Sequence, residues 1–198
     1  MSIPKILVAY ASTHGQTQSI ASRIQQSLER RGIQVTLANL KEGPAPALDQ
    51  FDGVVVGASV IARGHQPAVA DFIRERRDAL NAMPTAFFSV SASAGSSLEK
   101  GRAAARRVRD TFLVETGFRP ALTECVAGAI KYTRYNIVLR WYMKKASRMN
   151  GGSTDTSRDH EYTDWHQVEA FAHKFAMLIL KRAPAVPDEA PVQTQGFT

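Results

Sequence analysis

Ser12, Thr13, His14, Gly15, Gln16 and Thr17 stand between an apolar run and a stretch of helical periodicity, and residues of these types in that place can hold an anion. Hydroxyls supply hydrogen-bond donors, the first backbone N–H groups of a helix are unpaired, and a glycine lets the chain approach closely. No lysine follows Gly15, so the triphosphate-binding Gly-Lys-Ser/Thr pattern is not met, and neither is the G-x-G-x-x-G of dinucleotide sites. A phosphomonoester held by hydroxyls and amides, without a paired cation, fits best. The same turn also reads as an ordinary helix cap. Other reactive groups are sparse. His160, His166 and His173 have no company at metal-ligand spacing, so no metal is expected. Cys125 is the single cysteine, which excludes an internal disulfide, and its place in an apolar run reads as a small buried hydrophobe.

The elements that must position this loop follow from periodicity. Residues 5–10 are a short apolar run of the kind buried in a parallel sheet. From 16 to 31 the apolar positions Ile20, Ala21, Ile24 and Leu28 trace one helical face, and Gly32 ends it. Residues 33–40, 51–57, 84–91 and 122–130 read as further strands. Val69, Phe72, Ile73 and Leu80 mark a helix starting near Pro67, and residues 100–116 a basic helix. Trp165, Val168, Ala172, Phe175 and Ile179 mark a last helix, for which Thr163 is the expected N-cap. Strands alternating with helices imply an α/β three-layer sandwich, a five-stranded parallel sheet with helices on both faces and a ligand at the strands' carboxyl ends. With 198 residues, 44% of them hydrophobic, one domain with a full core is expected over 1–182. Residues 183–198 carry three prolines and no periodicity and read as a disordered tail. No signal peptide or membrane span is expected, and a reducing cytoplasm suits the cysteine content.

Segment 131–162 is a basic insertion between the last strand and the last helix. The net charge is +7, yet residues 100–149 alone hold twelve Lys/Arg against Asp110, Glu115 and Glu124. The surplus is therefore local, which favours an acidic partner for that region. Drawn as a helix, residues 136–149 put Val138, Leu139, Tyr142, Met143, Ala146 and Met149 on one side. Arg140, Lys144, Lys145 and Arg148 fall on the other, with Ile137 and Trp141 near the boundary. An apolar stripe, a cationic face and an edge aromatic suit the interface of an anionic membrane. Packing of the same stripe on the domain is the competing reading. No nucleic-acid motif occurs, and no nucleic-acid partner is expected.

The stretch around Ala11-Ser12-Thr13-His14-Gly15-Gln16-Thr17 resembles the flavodoxin loop that wraps the phosphate of FMN, with His14 where a small residue is usual. That resemblance implies FMN as cofactor, with His14 donating to the phosphate or lying on the ring. It also implies that Ala58, Ser59, Val60 and Ile61, together with Ser89, Val90, Ser91 and Ala92, flank the isoalloxazine ring. His65 is placed to assist proton movement beside it. These loops hold no Trp or Tyr, and an open flavin face suits an enzyme better than a carrier that shields its ring.

Residues 131–135 (KYTRY), 149–156 (MNGGSTDT) and 161–165 (EYTDW), with 57–65 and 81–90, together resemble the flavodoxin-fold, quinone-dependent protoporphyrinogen oxidases of haem synthesis (HemG type). The likeness runs from Ile6 to about Leu180. It implies oxidation of protoporphyrinogen IX to protoporphyrin IX in two-electron steps, with menaquinone or ubiquinone as the final acceptor. The cofactor carries the redox chemistry, so no protein nucleophile is expected. Arg63, Arg102, Arg106, Lys131 and Arg134 are the candidates to pair with the substrate's propionates. The implied location is the inner face of the cell membrane, bound peripherally, and association into a homo-oligomer is left open. A flavodoxin-type electron carrier and an NAD(P)H:quinone reductase are the alternatives.

Overall fold

The computed structural model describes residues 3–61, 64–130 and 160–181. In chain order the elements are β1 (Lys5–Ala11), α1 (Gln16–Glu29), β2 (Gln34–Asn39), β3 (Gly53–Ile61), β4 (Gly64–His65), α2 (Pro67–Glu75), α3 (Arg77–Ala82), β5 (Thr85–Ser91), α4 (Glu99–Thr116), β6 (Leu122–Ala127), β7 (Ala129–Ile130), β8 (His160–Glu161) and α5 (Trp165–Leu180). Short 3₁₀ turns occupy Leu48–Gln50 and Ser93–Gly95.

The main sheet has the order β2-β1-β3-β5-β6, with all four of these pairings parallel. The chain builds outward from β1 to β2 on one side and from β3 through β5 to β6 on the other. Between β1 and β3 the order therefore switches direction, the position where open α/β sheets bind ligands. Strand residues alternate between two faces. Ile6, Val8, Val55, Phe88 and Val126 pack under α1 and α5. Leu7, Ala9, Val54, Val56 and Phe87 pack under α2, α3 and α4. Phe87, Phe88 and Phe175 are fully buried, each contributing on the order of 1.5–3 kcal/mol relative to exposure. Gly57 is opposite Phe88 in register, and a Cβ there would fall inside the Phe88 ring.

Several elements differ from the expectations of periodicity. β3 runs on to Ile61 because Val60 and Ile61 pair antiparallel with His65 and Gly64 of β4. The expected loop after residue 57 is thus largely a hairpin. The helix from Pro67 breaks at Arg76, whose backbone (φ −120°, ψ 16°) leaves the helical region. The last expected strand breaks at Gly128, whose N–H donates to the Ser91 carbonyl. Beyond it β7 pairs antiparallel with β8. Thr163 is not the cap of α5. Asp164 is, accepting from the N–H groups of His166 and Gln167 at 2.9 and 3.2 Å. Cys125 is half-buried rather than buried, because β6 is an edge strand. Among the described residues no helix is long and apolar enough to cross a membrane. The segment drawn as a basic helix, the rest of 131–159, and the tail lie outside the described residues.

Candidate functional site

The register of the sheet aligns the carboxyl ends of four strands. Ala11 lies beside Ala58, Ser59 beside Val90, and Ser91 beside Ala127. Around these ends is a cleft of about 110 Å³ lined by Ser12, His14, Gln16, Thr17, Ser59, Val60, Ile61, Val90, Ser91, Ala92, Gly128 and Ala129. Two larger hollows, of about 400 and 440 Å³, lie at the opposite edge, among residues preceding β3, β5 and β6. Ligand sites in open α/β sheets sit at carboxyl ends, so the smaller cleft is the candidate.

The β1–α1 turn forms its polar end. Gly15 has φ +84°, a conformation that costs a residue with a side chain ~1–2 kcal/mol. Its N–H donates to the Ser12 hydroxyl at 2.9 Å. α1 then begins with no side-chain cap. Thr17, in its first turn, is 1% exposed and its hydroxyl has no partner among the described residues. A buried unpaired hydroxyl costs on the order of 1–3 kcal/mol. An uncapped helix N-terminus beside an orphaned hydroxyl is completed by an anion rich in acceptor atoms. These residues fit the phosphate of FMN. Val60, Ile61, Val90, Ala92 and Ala129 give the rest of the cleft an apolar wall suited to a flat ring. Ile61 is 44% exposed, so that wall is open on one side.

Four of the residues expected at the cofactor do not line the cleft. Thr13 and Gly15 shape the turn. Ala58 and Ser89 belong by strand alternation to the opposite face, that of Val56 and Phe87. His65 is there too. Its ring lies 4.3 Å from that of Phe112 and 5.5 Å from that of Phe87, and its Nε2 is 2.8 Å from the Ser89 hydroxyl. Its Nδ1 is buried without a partner among the described residues. Burial lowers its pKa to about 4, so the ring is neutral and serves packing rather than proton movement at the cleft.

Arg102 and Arg106 are likewise engaged elsewhere. Both pair with Glu99 in the first turn of α4. Hydrogen bonds from Arg106 and Arg102 hold the Glu99 carboxyl below its usual range. Arg102 also donates to the Ser96 and Ser97 carbonyls at 2.8 and 3.1 Å, fastening the loop before α4. Arg63, Lys131, Arg134, Arg140, Trp141, Lys144, Lys145 and Arg148 lie outside the described residues.

Sequence reasoning missed four contributors. Gly128 and Ala129 line the cleft, and an isolated glycine within an apolar run was the available signal for the break. Thr163 donates to the Ala127 carbonyl at 2.7 Å and accepts from Gln16 Nε2 at 2.9 Å, tying α1 to the end of β6. Gln66 joins two of the cleft loops, donating to Thr13 at 2.9 Å and to Ser59 at 2.6 Å. No local pattern marks either residue.

Comparison with known proteins adds to this geometry. Residues 7–157 match the flavodoxin domain family. The protoporphyrinogen IX dehydrogenase [quinone] of Escherichia coli K12 is 36% identical over 174 residues, covering 88% of this chain and 96% of that protein. The Leishmania major protein of the same name is 32% identical over 182 residues, covering 91% and 78%. Among solved structures, an archaeal flavodoxin superposes with a TM-score of 0.53 at 16% identity, covering 89% of this chain and 99% of that one. Oxidised flavodoxin 1 of Bacillus cereus gives 0.52 at 19%, covering 91% and 99%. These structures show the fold.

Two outcomes follow. Thr17→Val removes the orphaned hydroxyl with little change of shape. The melting temperature of the apoprotein is expected to hold or rise, while FMN affinity falls about tenfold, a lost hydrogen bond to a charged group. Riboflavin affinity should change little, and equal losses for both ligands would remove Thr17 from the phosphate. His65 protonates near 4 when folded but near 6.5 when unfolded. Its contribution to stability is therefore present above about pH 6.5 and is lost as pH falls toward 4. The loss is about 3 kcal/mol. Urea unfolding from pH 7 to 4 should show a flatter pH dependence for His65→Phe than for the wild type, and parallel curves would refute this.

Proposed function

The chain belongs to the flavodoxin-domain family of the quinone-type protoporphyrinogen IX dehydrogenases, and on that premise we propose that it oxidises protoporphyrinogen IX to protoporphyrin IX with FMN as cofactor and a membrane quinone as acceptor. The observation that carries this is the cleft at the switch between β1 and β3, with an uncapped, anion-seeking end and an open apolar wall. FMN, when bound, accepts electron pairs at its ring and passes them on. The chain's residues bind and orient it. Thr17 and the N-terminus of α1 hold the phosphate, together with the hydroxyl of Ser12. Ser59–Ile61 and Val90–Ala92 flank the ring. Val60 and Ile61 exclude water from one side, while the lining described contains no Trp or Tyr to cover the other. A planar macrocycle or a quinone can approach there.

The basic segment 131–159 is the proposed membrane and substrate element. The described residues that flank it meet at the edge of the cleft, because Ala129 both lines the cleft and pairs with Glu161. Lys131 and Arg134 follow directly and are the cations we assign to the propionates, with Arg63 as a third. Arg102 and Arg106 are not carried into this assignment, since Glu99 and the loop carbonyls already hold them. Arg140, Trp141, Lys144, Lys145 and Arg148 are assigned to an anionic lipid surface, where each basic residue contributes on the order of 1 kcal/mol.

Mixing the FMN-loaded protein, protoporphyrinogen IX and menaquinone or ubiquinone without oxygen should raise porphyrin fluorescence faster than the protein-free control. No acceleration would overturn the reading in favour of an electron carrier, and bleaching of the flavin by NAD(P)H would point to a reductase. In sedimentation with anionic vesicles, neutralising Arg140, Lys144, Lys145 and Arg148 together should lower binding by at least about tenfold. Equal binding of the two proteins would defeat the lipid assignment.

A further inference from the structure

Gln66 lies between β4 and α2, directly before Pro67, where a side chain capping the helix would be expected. It does not cap α2. It is 6% exposed, and its amide nitrogen reaches across to two different loops, 2.9 Å from the Thr13 hydroxyl and 2.6 Å from the Ser59 hydroxyl. Thr13 belongs to the turn before α1, and Ser59 lines the cleft. We propose that Gln66 sets the hydrogen-bonding direction at the cleft, giving both of its amide protons to Thr13 and Ser59 so that the Ser59 hydroxyl, which lines the cleft, is left as a donor to the flavin and the Thr13 hydroxyl as a donor within the turn that shapes its phosphate end. The inference rests on the FMN reading above and concerns how this chain presents its donors.

The argument is proton bookkeeping. A hydroxyl has one proton and two lone pairs, and an amide nitrogen has two protons. When a hydroxyl accepts from an amide, its own proton remains for an acceptor. The phosphate and the carbonyl oxygens of a flavin ring are acceptors. Two other cleft hydroxyls are set in the same direction by the backbone. Ser12 accepts from the N–H of Gly15 at 2.9 Å, and Ser91 from the N–H of Ala94 at 3.2 Å. A backbone N–H can only donate, so those directions are fixed by the fold. For Thr13 and Ser59 the direction depends on which end of the Gln66 amide faces them. The amide oxygen is buried without a partner among the described residues. Turning the amide round would put two N–H groups, rather than one oxygen, into that unpartnered place, and would draw the Ser59 proton away from the cleft and the Thr13 proton away from its turn. The orientation with fewer orphaned groups is the one that points the Ser59 proton at the ligand.

Gln66→Glu tests this, because a carboxylate of nearly the same shape can only accept. Apoprotein is titrated into FMN and into uncharged riboflavin at pH 8, with flavin fluorescence as the readout. Both dissociation constants are expected to rise about tenfold or more, the effect of losing hydrogen bonds to the ligand. Gln66→Met, which has no direction to impose, should cost about threefold. On a Thr13→Val/Ser59→Ala background, either substitution should change riboflavin affinity less than twofold, since Gln66 acts only through those hydroxyls. Gln66→Glu binding both flavins within twofold of the wild type would overturn the proposal. A loss confined to FMN would also overturn it, because that is simple charge repulsion. If Gln66→Glu does not fold, Gln66→Met decides: a loss undiminished on the double-variant background overturns the proposal. Failure of the wild type to bind FMN would instead sink the cofactor reading.

Discussion

Val54, Val55 and Val56 are all fully buried, as are Phe87 and Phe88, so successive residues of the central strands face apolar layers on both sides of the sheet. A sheet closed by helices on both faces has only its strand ends left to meet a polar ligand. Because the five strands are parallel, all their carboxyl ends open at one edge. The rest of the molecule depends on that constraint. It places Ser12, Ser59 and Ser91 within reach of one another although they are far apart in sequence. It also explains why Ala58 and Ser89, one step earlier on their strands than cleft-lining neighbours, are turned into the other layer.

At that edge the protein provides donors rather than charges. The described lining has hydroxyls, amides and an uncapped helix start, but no lysine or arginine. This suits a ligand whose phosphate is bound by preorganised dipoles while the ring meets an apolar wall. The loops that carry these donors are tied together by side-chain hydrogen bonds. Gln66 spans Thr13 and Ser59, and Thr163 links Gln16 to the end of β6. Each tie joins segments that separate elements bring together, so the geometry of the cleft is a property of the whole sheet.

The cations tell a complementary story. α4 looks strongly basic as a sequence, yet Arg102 and Arg106 converge on Glu99, and Arg109 pairs with Asp110. These are exposed pairs of modest energy, but they occupy guanidinium groups that would otherwise be offered to an anion. The positive surplus available to a partner is thus narrowed toward the segment beginning at Lys131, where no acidic residue occurs before Asp155.

Apolar periodicity and the strand–helix alternation were enough to determine the five parallel strands and the helices on both faces, because burial imposes those patterns locally. The turn from Ser12 to Thr17 was legible for the same kind of reason: hydroxyls, a glycine and a helix start are neighbours in the chain. The quinone-dependent family was legible from short segments spread over nearly the whole chain. Only the tertiary structure decided that Arg102 and Arg106 face Glu99, that His65 sits neutral against Phe87 and Phe112, and that Asp164 rather than Thr163 caps the last helix. Only it revealed Gln66, whose partners lie 53 and 7 residues away. A local pattern reports which face of an element is apolar. It carries no information on which distant polar groups that element will meet, and hydrogen-bond direction and charge pairing are settled by those meetings.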